Sequence, residues 1–165
     1  MKKMFSSFLV IHRTSIVRQL FDTFFDYFRI SERQDFEQSL IRNRTGNNNS
    51  SNFFWQLVQN KVFKNTNKLI VVYEIIDTDD LEQIKVYINN LSRTRNPVKI
   101  EKLIVIFRDE LIAYEFDRLI EKFDRARIEL SILSTTSCLC KKLLAECLIT
   151  ELRRIFSGST SIYND

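Results

Sequence analysis

From Lys68 onward the chain alternates short runs of β-branched and aromatic residues with longer amphipathic stretches, and this alternation leaves few folds open. KLIVVYEIID at 68–77 and KLIVIF at 102–107 are near-continuous apolar runs of the kind buried on both faces of a sheet. Residues 128–133 form a third. Between the runs, Asp79 and Asp80 open a stretch carrying Leu81, Ile84, Val86, Tyr87, Ile88 and Leu91 at helical spacing. Residues 109–126 carry Leu111, Ile112, Tyr114, Phe116, Leu119, Ile120 and Phe123 in the same way. Strands of about 8 residues joined by helices of about 16 require crossover connections, so the sheet is expected to be at least partly parallel. The expected class is α/β.

Two glycines and one proline in 165 residues mean that long regular elements dominate. A chain of this length suits one domain, which we place at 1–156, with a flexible Asn-rich loop at 43–52 and a disordered tail at 157–165. Thr14 or Ser15 is a good N-cap for a first helix, along which Ile16, Val17, Leu20, Phe21, Phe24, Phe25 and Phe28 make an apolar stripe. Residues 36–41 suggest a short second helix. FFWQLVQNKVF at 53–63 fits a strand or a helix, and beside 68–77 it is expected to pair as a hairpin. The result is an α-β-β-α-β-α-β core, a mixed sheet flanked by helices, with a C-terminal helix at about 137–156. This arrangement also carries metal-dependent nucleases of the restriction-endonuclease type.

Charge is uneven along the chain. Residues 1–68 hold 11 Lys/Arg against 5 Asp/Glu, while residues 69–165 hold 14 against 16. The N-terminal excess would attract a polyanion, and Arg13, Arg18, Arg42 and Arg44 are the candidate contacts to nucleic acid or an acidic partner. Cys138, Cys140 and Cys147, an odd number, suit a reducing compartment rather than a disulfide framework. No apolar run reaches the roughly 18 residues of a membrane span, and we expect an intracellular protein of cytoplasm, nucleus or virion.

Several chemistries are excluded by residue type. Gly46 and Gly158 stand alone, so no phosphate-cradling loop is present, and no cofactor is expected. A Ser-His-Asp or Cys-His arrangement would have to use His12, the sole histidine, which sits between an apolar segment and the first helix next to Arg13, and none is expected. A metal-dependent nuclease would need a carboxylate on one hairpin strand and Glu-x-Lys on the next. Glu74 lies on the right strand, but Ile76 follows it where lysine is required, and no Asp or Glu occurs between Glu37 and Glu74. On that alternative Glu74, Asp77 and Lys85 are the residues to suspect. The simpler expectation is that Glu74 is a solvent-facing edge charge.

Three segments carry a family resemblance: HRTSIVRQLFDTFF, IVVYEIIDTDDLEQIKVYINNLSRTR, and KLIVIFRDELIAYEFDRLIEKF leading into RIELSIL. Over roughly residues 12–135 the order of elements, with Ile84, Lys85 and Tyr87 before the strand Leu103 to Phe107, resembles the N-terminal jaw domain of the fifth-largest subunit of eukaryotic nuclear RNA polymerases. That domain has a restriction-endonuclease-like fold without its active site. Where the family carries a Thr-Pro element near DNA, this chain has Arg108, Asp109, Glu110 and Leu111. The resemblance implies a non-catalytic subunit or interaction module of a transcription complex, with large polymerase subunits as partners and DNA near the basic half. The abundance of Asn, Ile, Lys and Phe is what an AT-rich genome encodes, as in large DNA viruses and protists. The alternatives are the diverged nuclease and a small scaffold that dimerises through its last helix.

Overall fold

The computed structural model describes residues 6–14, 17–19, 21–22, 33–37, 52–64, 66, 68–107, 110–134 and 150. Five strands form one sheet: β1 (Ser6–His12), β2 (Arg33–Glu37), β3 (Lys68–Ile75), β4 (Ile100–Phe107) and β5 (Glu129–Ser134). Their order is β2-β1-β3-β4-β5, and every neighbouring pair is parallel. The helices are α1 (Phe53–Val58), α2 (Thr78–Leu91) and α3 (Glu110–Arg125), with a 3-10 turn at Lys61–Phe63. Residues 17–19 and 21–22 are also helical.

The α/β class expected from the alternating runs is present, but the sheet is not mixed. No hairpin forms at 53–77, because Phe54 and Val58, one helical turn apart, bury the same face of α1. Phe54 presents its edge to Tyr73 of β3 at 5.0 Å and to Tyr87 of α2 at 5.3 Å, which a strand in that position would not allow. Two strands were not anticipated. SSFLVIH is β1, and RQDFE, polar enough to pass for a break, is the edge strand β2. The short helix expected at 36–41 gives way to β2 at Phe36 and Glu37, and its remainder lies outside the described residues, as do the loop at 43–52 and the tail at 157–165. The C-terminal helix lies outside them as well, apart from Thr150, which is helical.

Both faces of the sheet are buried, which explains why its central strands read as continuous apolar runs. Leu9, Ile11, Leu69, Val71, Tyr73, Ile75, Leu103, Val105 and Phe107 share one face with the buried sides of α1, α2 and α3 in a single core. Phe8, Val10, Ile70, Val72, Ile104 and Ile106 alternate to the opposite face and are equally inaccessible. A bulge where β3 meets β4 pairs Leu69 with Ile100 but Ile70 with Lys102, so Glu101 is left over and faces solvent.

Candidate functional site at the carboxyl edge of the sheet

An open parallel sheet of this order reverses the direction of its winding between β1 and β3, and ligands of such sheets sit outside the carboxyl ends of the strands at that switch point. Here the two strand ends deliver His12, Arg13 and Thr14 from β1, and Glu74, Ile76 and Asp77 from β3.

Glu74 is on the central strand and 1% exposed, which corrects the expectation of a solvent-facing edge charge. Insertion of β1 between β2 and β3 is the reason, since it gives β3 a neighbour on each side. A buried carboxylate must be paired or hydrogen-bonded. Its Oε2 accepts from the backbone N–H of Arg13 at 2.6 Å and of Thr14 at 3.0 Å, and its Oε1 accepts from the Thr14 hydroxyl at 2.8 Å. Thr14 is also one of the two helix caps anticipated from sequence: its Oγ1 accepts from Val17 N–H at 3.5 Å, at the start of the helical residues 17–19.

Asp80 holds the other half of the site. It is fully buried in the first turn of α2, whose N-cap is Asp77. Asp77 accepts from Asp80 N–H at 3.1 Å and Asp80 Oδ2 accepts from Asp77 N–H at 3.3 Å, a reciprocal capping box with aspartate in the third position. The same Oδ2 accepts from Ile76 N–H at 3.0 Å. Oδ1 accepts from the Tyr73 hydroxyl at 3.1 Å and from the Arg13 guanidinium at 3.1 Å. Arg13 also lies 3.5 Å from Asp77. The carboxylates are thus tied into the backbone of the strand ends and into one arginine.

Arg13, one of the four arginines suggested as polyanion contacts, has a side chain only 13% exposed and is committed to Asp80 and Asp77. Arg18 is exposed, whereas Arg42 and Arg44 lie outside the described residues. The nuclease set is brought together only in part. Glu74 and Asp77 meet around Arg13, but Lys85 sits on α2 paired with Glu82 at 2.9 Å. Among the described residues no group of three His, Cys, Asp or Glu side chains is placed to hold a metal ion. His12 ends β1 at 5% exposure, and the three cysteines lie outside the described residues. Sequence reasoning missed Asp80 as the hub of the site. The Asp-x-x-Asp spacing at 77–80 is a capping-box pattern and was the available signal.

No helix among the described residues is long and apolar enough to cross a membrane. Comparison of the chain with family models, with curated proteins and with solved structures found no match.

Proposed function

We propose that this chain is a non-catalytic interaction module, of the kind that serves as an accessory subunit in a DNA-directed RNA polymerase or related transcription complex. The observation that carries the non-catalytic half is the state of Glu74: three donors from Arg13 and Thr14 occupy a carboxylate that a metal-activated hydrolase would keep for its cation. Asp80, equally enclosed, serves the start of α2. Both carboxylates are buried and bonded to the strand ends.

The transcription half rests on the jaw-domain resemblance. Its second and third segments fold as β3, α2, β4, α3 and β5 in the order that the resemblance implies. The restriction-endonuclease-like topology also implied requires a hairpin, and the all-parallel sheet weighs against it, so the partner class rests on the resemblance over 68–134. Isolation of a tagged chain from its own host at moderate salt should recover large polymerase subunits in stoichiometric amount. Their absence would remove the transcription half. Cleavage of DNA in Mg²⁺ or Mn²⁺ that disappears in Glu74→Gln would remove the non-catalytic half and restore the nuclease alternative with Glu74 and Asp77 at its centre.

A further inference from the structure

The opposite end of the sheet has a different chemistry. Strands β3, β4 and β5 begin side by side there, about 5 Å apart, and α2 and α3, which return the chain between parallel strands, end there. Besides Lys122 and Arg125 in the last turn of α3, six exposed cations collect in the turns at this amino edge: Lys61 and Lys64 ahead of β3, Arg93, Arg95 and Lys99 between α2 and β4, and Arg127 between α3 and β5. The first two groups are clamped to one another, because the Gln59 side chain donates to Val98 C=O at 2.9 Å and accepts from Val98 N–H at 2.8 Å. None of the six has an ion pair among the described residues. The acids nearby are largely spent on other cations: Glu101 on Lys68 at 3.4 Å, Glu129 on Lys102 at 2.8 Å, and Glu121 on Arg125 at 3.2 Å, leaving exposed Asp124.

Arg127 occupies its place at a cost. Its φ of 57° is left-handed, and it holds the position after the helix where glycine is favoured. The bonds are those of a Schellman ending, Arg127 N–H to Asp124 C=O and Ile128 N–H to Phe123 C=O, both 3.0 Å, with Ile128 and Phe123 buried against the core. Glycine would satisfy that geometry without strain. The arginine instead adds a positive charge to the edge.

We infer that the amino edge binds the phosphate backbone of a nucleic-acid duplex. A protein partner would call for apolar anchors at the centre of the surface, yet the large apolar side chain exposed among these cations is Val62 alone, counting described residues. A single strand would call for exposed aromatics on which bases stack, and among the described residues the exposed aromatic is Tyr114, in the first half of α3, the half away from this edge. An array of unpaired cations without either feature fits phosphate contact independent of sequence. The inference is separate from the polymerase proposal, since it concerns the chain alone.

The test is fluorescence anisotropy of a short labelled DNA duplex of arbitrary sequence titrated with the full chain over a range of salt. Six contacts predict a log–log slope of affinity against salt of about −5, and removal of four in Lys61→Ala/Lys64→Ala/Arg93→Ala/Arg95→Ala predicts a slope near −2 with affinity down at least about tenfold. Arg118→Ala, an exposed cation in the middle of α3, should change neither. Arg127→Gly separates charge from folding: Tm should rise by about 2 °C while the slope loses about one unit. Binding that is absent or insensitive to salt would overturn the inference. So would a stronger preference for poly-glutamate or for single-stranded DNA, loss of binding in Arg18→Ala but not in the fourfold variant, or a higher Tm in Arg127→Gly with unchanged affinity.

Discussion

The carboxyl and amino edges of this sheet are both strongly charged, but one edge spends its charge on the fold and the other leaves it in water. At the carboxyl edge Asp80 and Glu74 are inaccessible and bonded to strand ends, a helix start and Arg13. At the amino edge six Lys and Arg side chains are exposed without ion pairs among the described residues. The sign follows from topology. Helices that return the chain between parallel strands begin at the carboxyl edge, where acids suit the dipole and the free N–H groups, and end at the amino edge, where cations do. The difference in burial follows from side-chain length and from donors. A short carboxylate can be enclosed by backbone N–H groups, as Glu74 is by Arg13 and Thr14, whereas a long cation keeps its head in water unless it meets an acid. Lys102 makes the point from within the amino edge: it is 1% exposed, and its ammonium reaches Glu129 at 2.8 Å. Charge of either sign therefore becomes structural only where a partner lies within reach.

The comparison breaks most readily at Asp80. Asp80→Ala would strand a partly buried Arg13 and free the N–H groups of Ile76 and Asp77, and should cost about 3–5 kcal/mol, read as a lower urea midpoint at unchanged m. A loss below about 1 kcal/mol would mean that the carboxyl edge is no more structural than the amino edge. Next comes Thr14→Val, which removes the hydroxyl from a buried carboxylate and should cost about 1.5–3 kcal/mol in the same assay.

Tyr87 tests the amino edge for a structural component of its own. Its hydroxyl accepts from Ile100 N–H at 3.0 Å where β4 begins, and Tyr87→Phe should cost about 1–2 kcal/mol. Burial pushes the phenol well above its ordinary 10.0, with the Ile100 bond acting the other way. A raised folded-state pKa gives stability that is complete below the unfolded value and is lost as pH climbs past it. Stability should therefore decline above about pH 10, and less steeply in Tyr87→Phe when both are followed by urea denaturation. The smallest effect belongs to Arg93→Ala/Arg95→Ala, which should stay within about 0.5 kcal/mol of the parent, since neither side chain has an ion pair among the described residues.

What could be seen in advance differs between the two ends of the chain for a physical reason. Strands β3, β4 and β5 and helices α2 and α3 stood out because their burial is complete on one face or both, so hydrophobic period and element coincide. FFWQLVQNKVF misled because aromatics and Val suit strands, while Phe54 and Val58 also satisfy the four-residue helical step, and only packing on Tyr73 and Tyr87 decides between them. RQDFE misled because an edge strand buries little and reads as polar. Of the site, Glu74 and Asp77 were singled out as carboxylates on the right strand, while the roles of Asp80 and Arg13 depend on β1 lying beside β3, sixty residues away in sequence.

Local sequence determined the α/β class, the order of elements from Lys68 to Ser134 and a helix cap at Thr14 or Ser15, because each is written in residues within one or two turns of one another. Tertiary structure alone decided that the sheet is parallel throughout, that β1 enters between β2 and β3, and that Glu74 is enclosed rather than exposed. Strand order is a choice among long-range pairings that local periodicity leaves equally open, and a carboxylate becomes structural only when that choice brings backbone donors to it.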